Sequence, residues 1–333
     1  MPIDSADLRR RQFITRGAVA GAALALPGLA LAQSFPTPGT PLRIVIPAPP
    51  GGPADILARA VGTHLTTELG GNPVIVESKP GGASVLAALA VARAPADGYT
   101  LFLGINTTHT QVPHMFSKPP YDPFKEFTPI TQVYRAGSFM VAHPAVPVAD
   151  LKELVAWSKA NGPVPAGSPG PGTNGHLYIE MLNAAGANFN HVPYKGSADA
   201  MRDLIGGFIK VLFDSPATAL PHIRNGRIKA LAVTGTTRFK EIPEVQTGRE
   251  QGFAQLDITG WMGFFGPAGM PPAVVDRLNK ALVAAIRRPE LRAQFEPLGL
   301  ELTGSTPAEF ATLVRNDHDT WGRIIQKTGI KLD

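Results

Sequence analysis

The segment TPITQVYRAGSFMVA, residues 128–142, decides how this chain is organised. It carries β-forming residues along its length and shows no apolar stripe of helical period. Its fifteen residues outrun the usual strand of about five or six. An extended stretch of that length suits a crossing from one folded lobe to another. LDITGWMGFFG, residues 256–266, has the same character and reads as the crossing back.

On either side of these crossings, short β-rich apolar runs alternate with longer segments of helical period, punctuated by Gly and Pro. Before the first crossing the pattern predicts strands at 42–47, 73–77 and 100–105, with helices at 54–69 and 85–93. Between the crossings it predicts helices at 148–160, 176–185, 198–205 and 217–225, and strands at 164–166, 190–194, 210–214 and 230–234. Helices at 272–284, extended through 295, and at 307–327 close the chain. The expected architecture is an α/β clamshell of two lobes, with two parallel-type sheets joined by two extended crossings. Residues 40–135 with 260–305 form the first lobe, 136–259 the second and 306–333 a C-terminal helix. Ligands of open parallel sheets sit at the carboxyl ends of strands, so the strand-to-helix loops facing an interlobe cleft are the places to look for chemistry.

Residues 1–32 have a different purpose. LRRRQFITR, residues 8–16, leads into sixteen small and apolar residues from Gly17 to Ala32. Arg10 and Arg11 followed by Gln12, Phe13 and Ile14 match a twin-arginine export signal, with Ala30-Leu31-Ala32 as the cleavage site. The apolar run is shorter than the roughly 20 residues a spanning helix needs, and Pro27 interrupts it. The mature chain, from Gln33, is therefore expected in the periplasm with its signal removed.

The chain has no cysteine, which excludes thiol catalysis, cysteine metal sites and a lipoprotein anchor. Its formal charge is +5, of which the signal region supplies two, and the basic residues are scattered among acids. That is an ordinary solvated surface without the footprint of a nucleic-acid binder.

Several loops could hold an anion. In PAPPGGPAD, residues 47–55, Gly51 and Gly52 let the backbone approach a ligand before a helix that opens with Pro53. GINTTHTQVPH, residues 104–114, offers Asn106, Thr107, Thr108 and His109 as neutral donors and acceptors. KPGGAS, residues 79–84, supplies a second glycine turn. AGSPGPGTNGHL, residues 166–177, contains a GxGxxG at Gly170, Gly172 and Gly175. The acid that a dinucleotide fold requires about 20 residues later is replaced by HVPYKG with Lys195, so Ser168, Thr173 and Asn174 at a helix start read as an anion cradle. Ser197 and Ser215 serve as helix caps. His109 and His114 lack carboxylates at ligand spacing, so no metal is expected, and GxSxG, Walker and HExxH motifs are missing.

IVIPAPPGGPAD, GYTLFLG, YDPFKEFTPIT, HVPYKGSADAMRDLIGG, VLFDSPATALPHIRNGRIKALAVT and PPAVVDRLNKAL, spread over nearly the whole mature chain, resemble the periplasmic substrate-binding proteins of tripartite tricarboxylate transporters. The resemblance implies a Venus-flytrap fold that binds a small carboxylate without turnover or cofactor, and delivers it to two integral membrane subunits as a monomer. It also implies a carboxylate grip from Gly51, Gly52, Asn106 and Thr107. Ser168, Thr173, Asn174, His176, Tyr194, Lys195, Gly196 and Asp214 would face that grip. From the residues themselves, His109, Arg135 and Lys195 are positive or can become so, and one that faces the cleft would favour a second ligand carboxylate. The competing functions are a periplasmic ligand sensor for a membrane kinase and an exported nucleotide-dependent oxidoreductase.

Overall fold

The structure is a computed structural model and describes residues 35–332. The expected signal peptide, 1–32, lies outside the described residues. In chain order the strands are β1 (Leu42–Ile46), β2 (Val74–Ser78), β3 (Thr100–Ile105), β4 (Phe127–Ala136), β5 (Phe139–Ala142), β6 (Val164–Ser168), β7 (Phe189–Pro193), β8 (Val211–Asp214), β9 (Lys229–Val233), β10 (Gly260–Pro267) and β11 (Glu301–Leu302).

They form two sheets, ordered β11-β4-β10-β3-β1-β2 and β7-β6-β8-β5-β9. Each contains the parallel trio that the alternating pattern predicts: β1 between β2 and β3, and β6 between β7 and β8. The remaining strands are antiparallel additions, because the crossings enter each sheet from the opposite direction. Both sheets are thus mixed, with helices covering the parallel connections.

The long stretch 128–142 is two strands in two sheets. It breaks at Gly137 and Ser138, where the chain passes from β4 to β5. β10 returns alongside β4 in antiparallel register, from Phe127 opposite Pro267 to Ala136 opposite Gly260. Side-chain and backbone bonds tie this junction: Arg135 Nε donates to Thr259 Oγ1 at 2.9 Å, Ser138 N to Thr234 Oγ1 at 2.8 Å, and Thr234 N to the Ser138 carbonyl at 2.8 Å. The second predicted crossing starts later than its sequence suggests, because residues Ala254–Leu256 close a short 3-10 turn before β10.

Two further differences have local causes. The polar loop expected after β3 is helical, a π-turn at Thr107–Gln111 running into a helix at Val112–Met115. Thr108 Oγ1 donates to the Ile105 carbonyl and Thr110 Oγ1 to that of Asn106, so hydroxyls that read as loop chemistry close turns instead. The helix expected over 272–295 divides into Pro272–Ile286 and Pro289–Phe295, since Pro289 has no N–H to continue the first helix and suits the start of the second.

The last helix, Pro307–Thr328, starts at a capping box between Thr306 and Glu309. Its first half buries Phe310 and Val314 in the first lobe's core with Phe102, Trp261 and Phe265. Its second half buries Trp321 and Ile325 in the second lobe's core with Tyr178 and Phe213. One helix thus contributes to two cores, each large side chain adding about 1.5–3 kcal/mol of burial.

Gly137 is the residue on which the crossing is most exacting. A Cβ there would lie 2.3 Å from the Thr234 carbonyl oxygen, which is backbone and cannot rotate away. Gly137→Ala is expected to destabilise the protein by at least about 1–3 kcal/mol through overpacking, read as a lower urea midpoint at unchanged slope; an unaltered midpoint would contradict this junction.

Candidate functional site

A cavity of about 220 Å³ lies between the sheets, where the loops leaving β1, β3, β6, β7 and β8 converge. It is smaller than the roughly 300–1,000 Å³ of pockets for drug-sized molecules, and its walls come from both lobes and both crossings. Gly52, Asn106 and Thr107 line it from the first lobe, and Thr173, Asn174, Lys195, Gly196 and Asp214 from the second. Tyr134 and Trp261 close it from the crossing strands.

The first-lobe wall is a helix start. Pro53 opens the helix Pro53–Glu68 with Gly52 before it, and Gly51 adopts φ +80°, a conformation that costs glycine little. The Gly51 N–H is already committed, donating to Asp55 Oδ2 at 3.0 Å, and Arg59 holds Asp55 from the next turn at 2.9 Å. The Asp55 and Ile56 amides turn onto the Gly52 carbonyl. Ala54, whose amide has no intrahelical acceptor at this position, lines the cavity. Sequence reading missed Ala54; the signal was the proline before it, which makes it the first donor of the helix.

The lobes touch across the floor of the cavity. Asn106 Nδ2 donates to Asn174 Oδ1 at 2.7 Å, and Gln111 Nε2 donates to the same oxygen. Two first-lobe amides therefore converge on one second-lobe acceptor. At the rim, a Cβ on Gly196 would come within 3.1 Å of Pro49, and away from the cavity wall one on Gly172 would come within 2.9 Å of Met115 Sδ. Gly175 is likewise required: a Cβ there would lie 2.9 Å from the Phe213 carbonyl oxygen and 3.2 Å from Pro169.

Four residues expected at the ligand are not among those lining the cavity: Gly51, Ser168, His176 and Tyr194. They shape the loops behind the wall. Ser168 is fully buried, donating to the Gly170 carbonyl at 3.0 Å and lying 2.6 Å from His191 Nε2. His176 Nδ1 accepts from Gly172 N at 3.1 Å, and its ring stacks on His191 at 3.9 Å. Tyr194 donates its hydroxyl to Asp203 Oδ2 at 2.9 Å. Thr173 lines the cavity, with its hydroxyl bonded to the Gly170 carbonyl at 2.7 Å.

Of the three expected cations, only Lys195 reaches the cavity wall. Arg135 points from the crossing towards Thr259 and a different surface depression beside Arg238 and Phe239. His109 is fully buried, stacked on Phe265 at 3.7 Å, and burial pushes it down to about 3. It is a neutral core side chain, which corrects its reading as a cleft cation. Asp214 is buried on the wall, its carboxyl pushed up to about 6 by burial against the lowering effect of hydrogen bonds from Ser197 and Ser215 N.

Two α/β lobes, paired crossings and a small cavity at the strand ends define the class as a two-domain periplasmic binding protein. Residues 57–330 match the family model described as the tripartite tricarboxylate transporter family receptor, and the chain belongs to that family. It is 30% identical over 319 residues to BugT of Bordetella pertussis, covering 95% of this chain and 98% of the relative. Among solved structures it resembles the periplasmic binding protein BugD, at 31% identity and TM-score 0.83 over 89% of this chain and 99% of that one. It also resembles MatC from Rhodopseudomonas palustris with bound malate, at 28% identity and TM-score 0.82 over 87% of this chain and 100% of that one.

The buried histidines set a pH dependence. An unfolded histidine takes up its proton near its ordinary value of 6.5, whereas folded His109 does so only near 3. The unfolded state then binds more protons between these values, so stability is lost as pH falls from about 6.5. His176 and His191, each pushed down to about 4 with burial as the main cause, act in the same direction. Asp214 opposes them between its ordinary 3.8 and about 6. The urea midpoint is expected to fall between pH 6.5 and 4.5, and His109→Leu to remove up to one proton from the slope of stability against pH; an identical slope in the variant would refute a neutral buried ring.

Proposed function

We propose that this chain is an exported receptor that holds a small carboxylate in the interlobe cavity and passes it to membrane subunits of a tripartite tricarboxylate transporter. The observation that carries this reading is the cavity wall itself. It joins a helix-start amide at Ala54, carboxamides at Asn106 and Asn174 and a rim ammonium at Lys195, at the strand ends of both lobes. Backbone amides at a helix start and neutral side-chain donors suit an anion that must also be released. Read as an export signal, residues 1–32 would send the mature chain to the periplasm, and we take it to act there as a monomer.

The energetics are sufficient without covalent chemistry. A micromolar complex needs about 8 kcal/mol. Several charge-assisted hydrogen bonds of roughly 1.5–3 kcal/mol each supply this after ordering costs. Lys195 stands on the second lobe opposite the helix-start grip, which favours a ligand with two anionic ends. MatC, with its bound malate, is a relative that holds such a molecule.

Calorimetry on the mature chain against di- and tricarboxylates, aromatic acids and acidic amino acids tests the proposal. At least one acid is expected to bind with a micromolar constant and to be recovered unchanged. Asn106→Ala is expected to weaken it about tenfold, the loss of one such bond. Lys195→Ala is expected to erase the preference of a diacid over its monoamide. Consumption of the bound acid, or equal affinity for diacid and monoamide in the wild type, would overturn the corresponding part.

A further inference from the structure

Asp214 brings to the cavity wall a buried acceptor that the described residues leave unpaired. Asp214, the last residue of β8, is only 3% exposed and lines the cavity. Its Oδ1 accepts from the Ser197 hydroxyl at 2.6 Å and from the Ser215 backbone N–H at 2.7 Å. Its Oδ2 is equally removed from solvent and has no hydrogen-bond partner among the described residues. A buried carboxylate oxygen without a donor is costly. The two bonds at Oδ1 would be served as well by the carbonyl oxygen of an asparagine, so loop architecture does not account for the second oxygen. Its partner is to be sought among what enters the cavity.

The surroundings define that partner. Both groups bonded to Asp214 are neutral. Among the described residues, Tyr134 from the crossing, and Lys195 and Asp199 from the second lobe, are the other ionisable residues on the cavity wall, and Asp199 is paired with Arg202 at 2.9 Å. With its carboxyl held up at about 6, Asp214 is mostly ionised at neutral pH and acts as an acceptor. A methylene placed against Oδ2 would leave it unpaired, and a ligand carboxylate placed there would be repelled. An O–H or N–H satisfies it.

Resting on the carboxylate-receptor reading, we propose that Asp214 makes the cavity selective for acids that also carry a hydrogen-bond donor, a hydroxyl or an ammonium group, over unsubstituted acids of the same skeleton. The cavity then reads two features of one molecule: the carboxylate at the first-lobe helix start and the donor at the end of β8. A site with a buried polar group discriminates strongly against an analogue that leaves that group unpaired.

The test uses matched pairs on the intact mature protein: succinate against malate and aspartate, adipate against 2-hydroxyadipate and 2-aminoadipate, and benzoate against 2-hydroxybenzoate. Dissociation constants are measured by calorimetry for wild type and for Asp214→Asn, which retains the Oδ1 acceptor and puts an amide donor in place of Oδ2. In the skeleton that binds, the donor-bearing acid is expected to be roughly tenfold or more tighter in the wild type, and that advantage to vanish or reverse in Asp214→Asn. The hydroxyl and amino members separate the two kinds of donor. An unsubstituted acid that binds wild type as tightly as its donor-bearing partner overturns the inference, and needs no variant to do so. The same advantage persisting in folded Asp214→Asn also overturns it. If no acid of the panel binds wild type, the receptor reading fails and takes this inference with it; binding without selectivity spares that reading and removes only the role of Asp214.

Discussion

The antiparallel pairing of β4 with β10 is the constraint on which the rest of this molecule depends. Both strands leave the first sheet at the same end, Ala136 opposite Gly260, and both connect there to the second lobe. The loops of the two lobes can converge on a cavity only because these crossings fix the separation and direction of the sheets. Gly137 allows the turn from β4 to β5 to pass against the Thr234 carbonyl, and Thr234 and Ser138 exchange hydrogen bonds to hold it. The same strands supply Tyr134 and Trp261 to the cavity, so the joint between lobes and the cavity wall are partly the same residues.

Among the described residues, the cavity wall presents amide and carboxamide groups and the Lys195 ammonium, and no guanidinium. A buried cation opposite an anion brings a desolvation penalty that its attraction does not always recover, whereas amide and hydroxyl groups are already polar without carrying charge. Asn106, Gln111 and Asn174 illustrate the arrangement, with two donors from one lobe meeting a single acceptor from the other. A ligand that enters must either fit beside that contact or replace it. Any affinity of the cavity for a ligand would therefore be set against the lobes' attraction for each other.

Much of this was legible in the sequence, for identifiable reasons. The parallel trios follow from apolar runs alternating with helical stripes, and the crossings from extended stretches too long for one strand. The loops were legible where glycine and proline punctuate them, as at Gly51, Gly52 and Pro53. What sequence could not give was the fate of particular side chains. Thr108 and Thr110 look like free loop hydroxyls but close the turns of a helix, and His109 is carried by that helix into an aromatic core. Ser168, His176 and Tyr194 have the right chemistry and the right loops, yet their partners are one another's neighbours: Gly170, His191, Gly172 and Asp203. Whether a donor faces the cavity or the loop behind it depends on tertiary pairings that no local pattern records.

The closing helix carries a consequence for how the molecule holds together. With Phe310 and Val314 in one core and Trp321 and Ile325 in the other, neither lobe can expose its interior without disturbing the same rod of backbone. Hydrophobic cores linked in this way exchange free energy, so the loss of one removes part of the support of the other. The helix is a shared keel, so loosening of either lobe is expected to weaken the packing of the other.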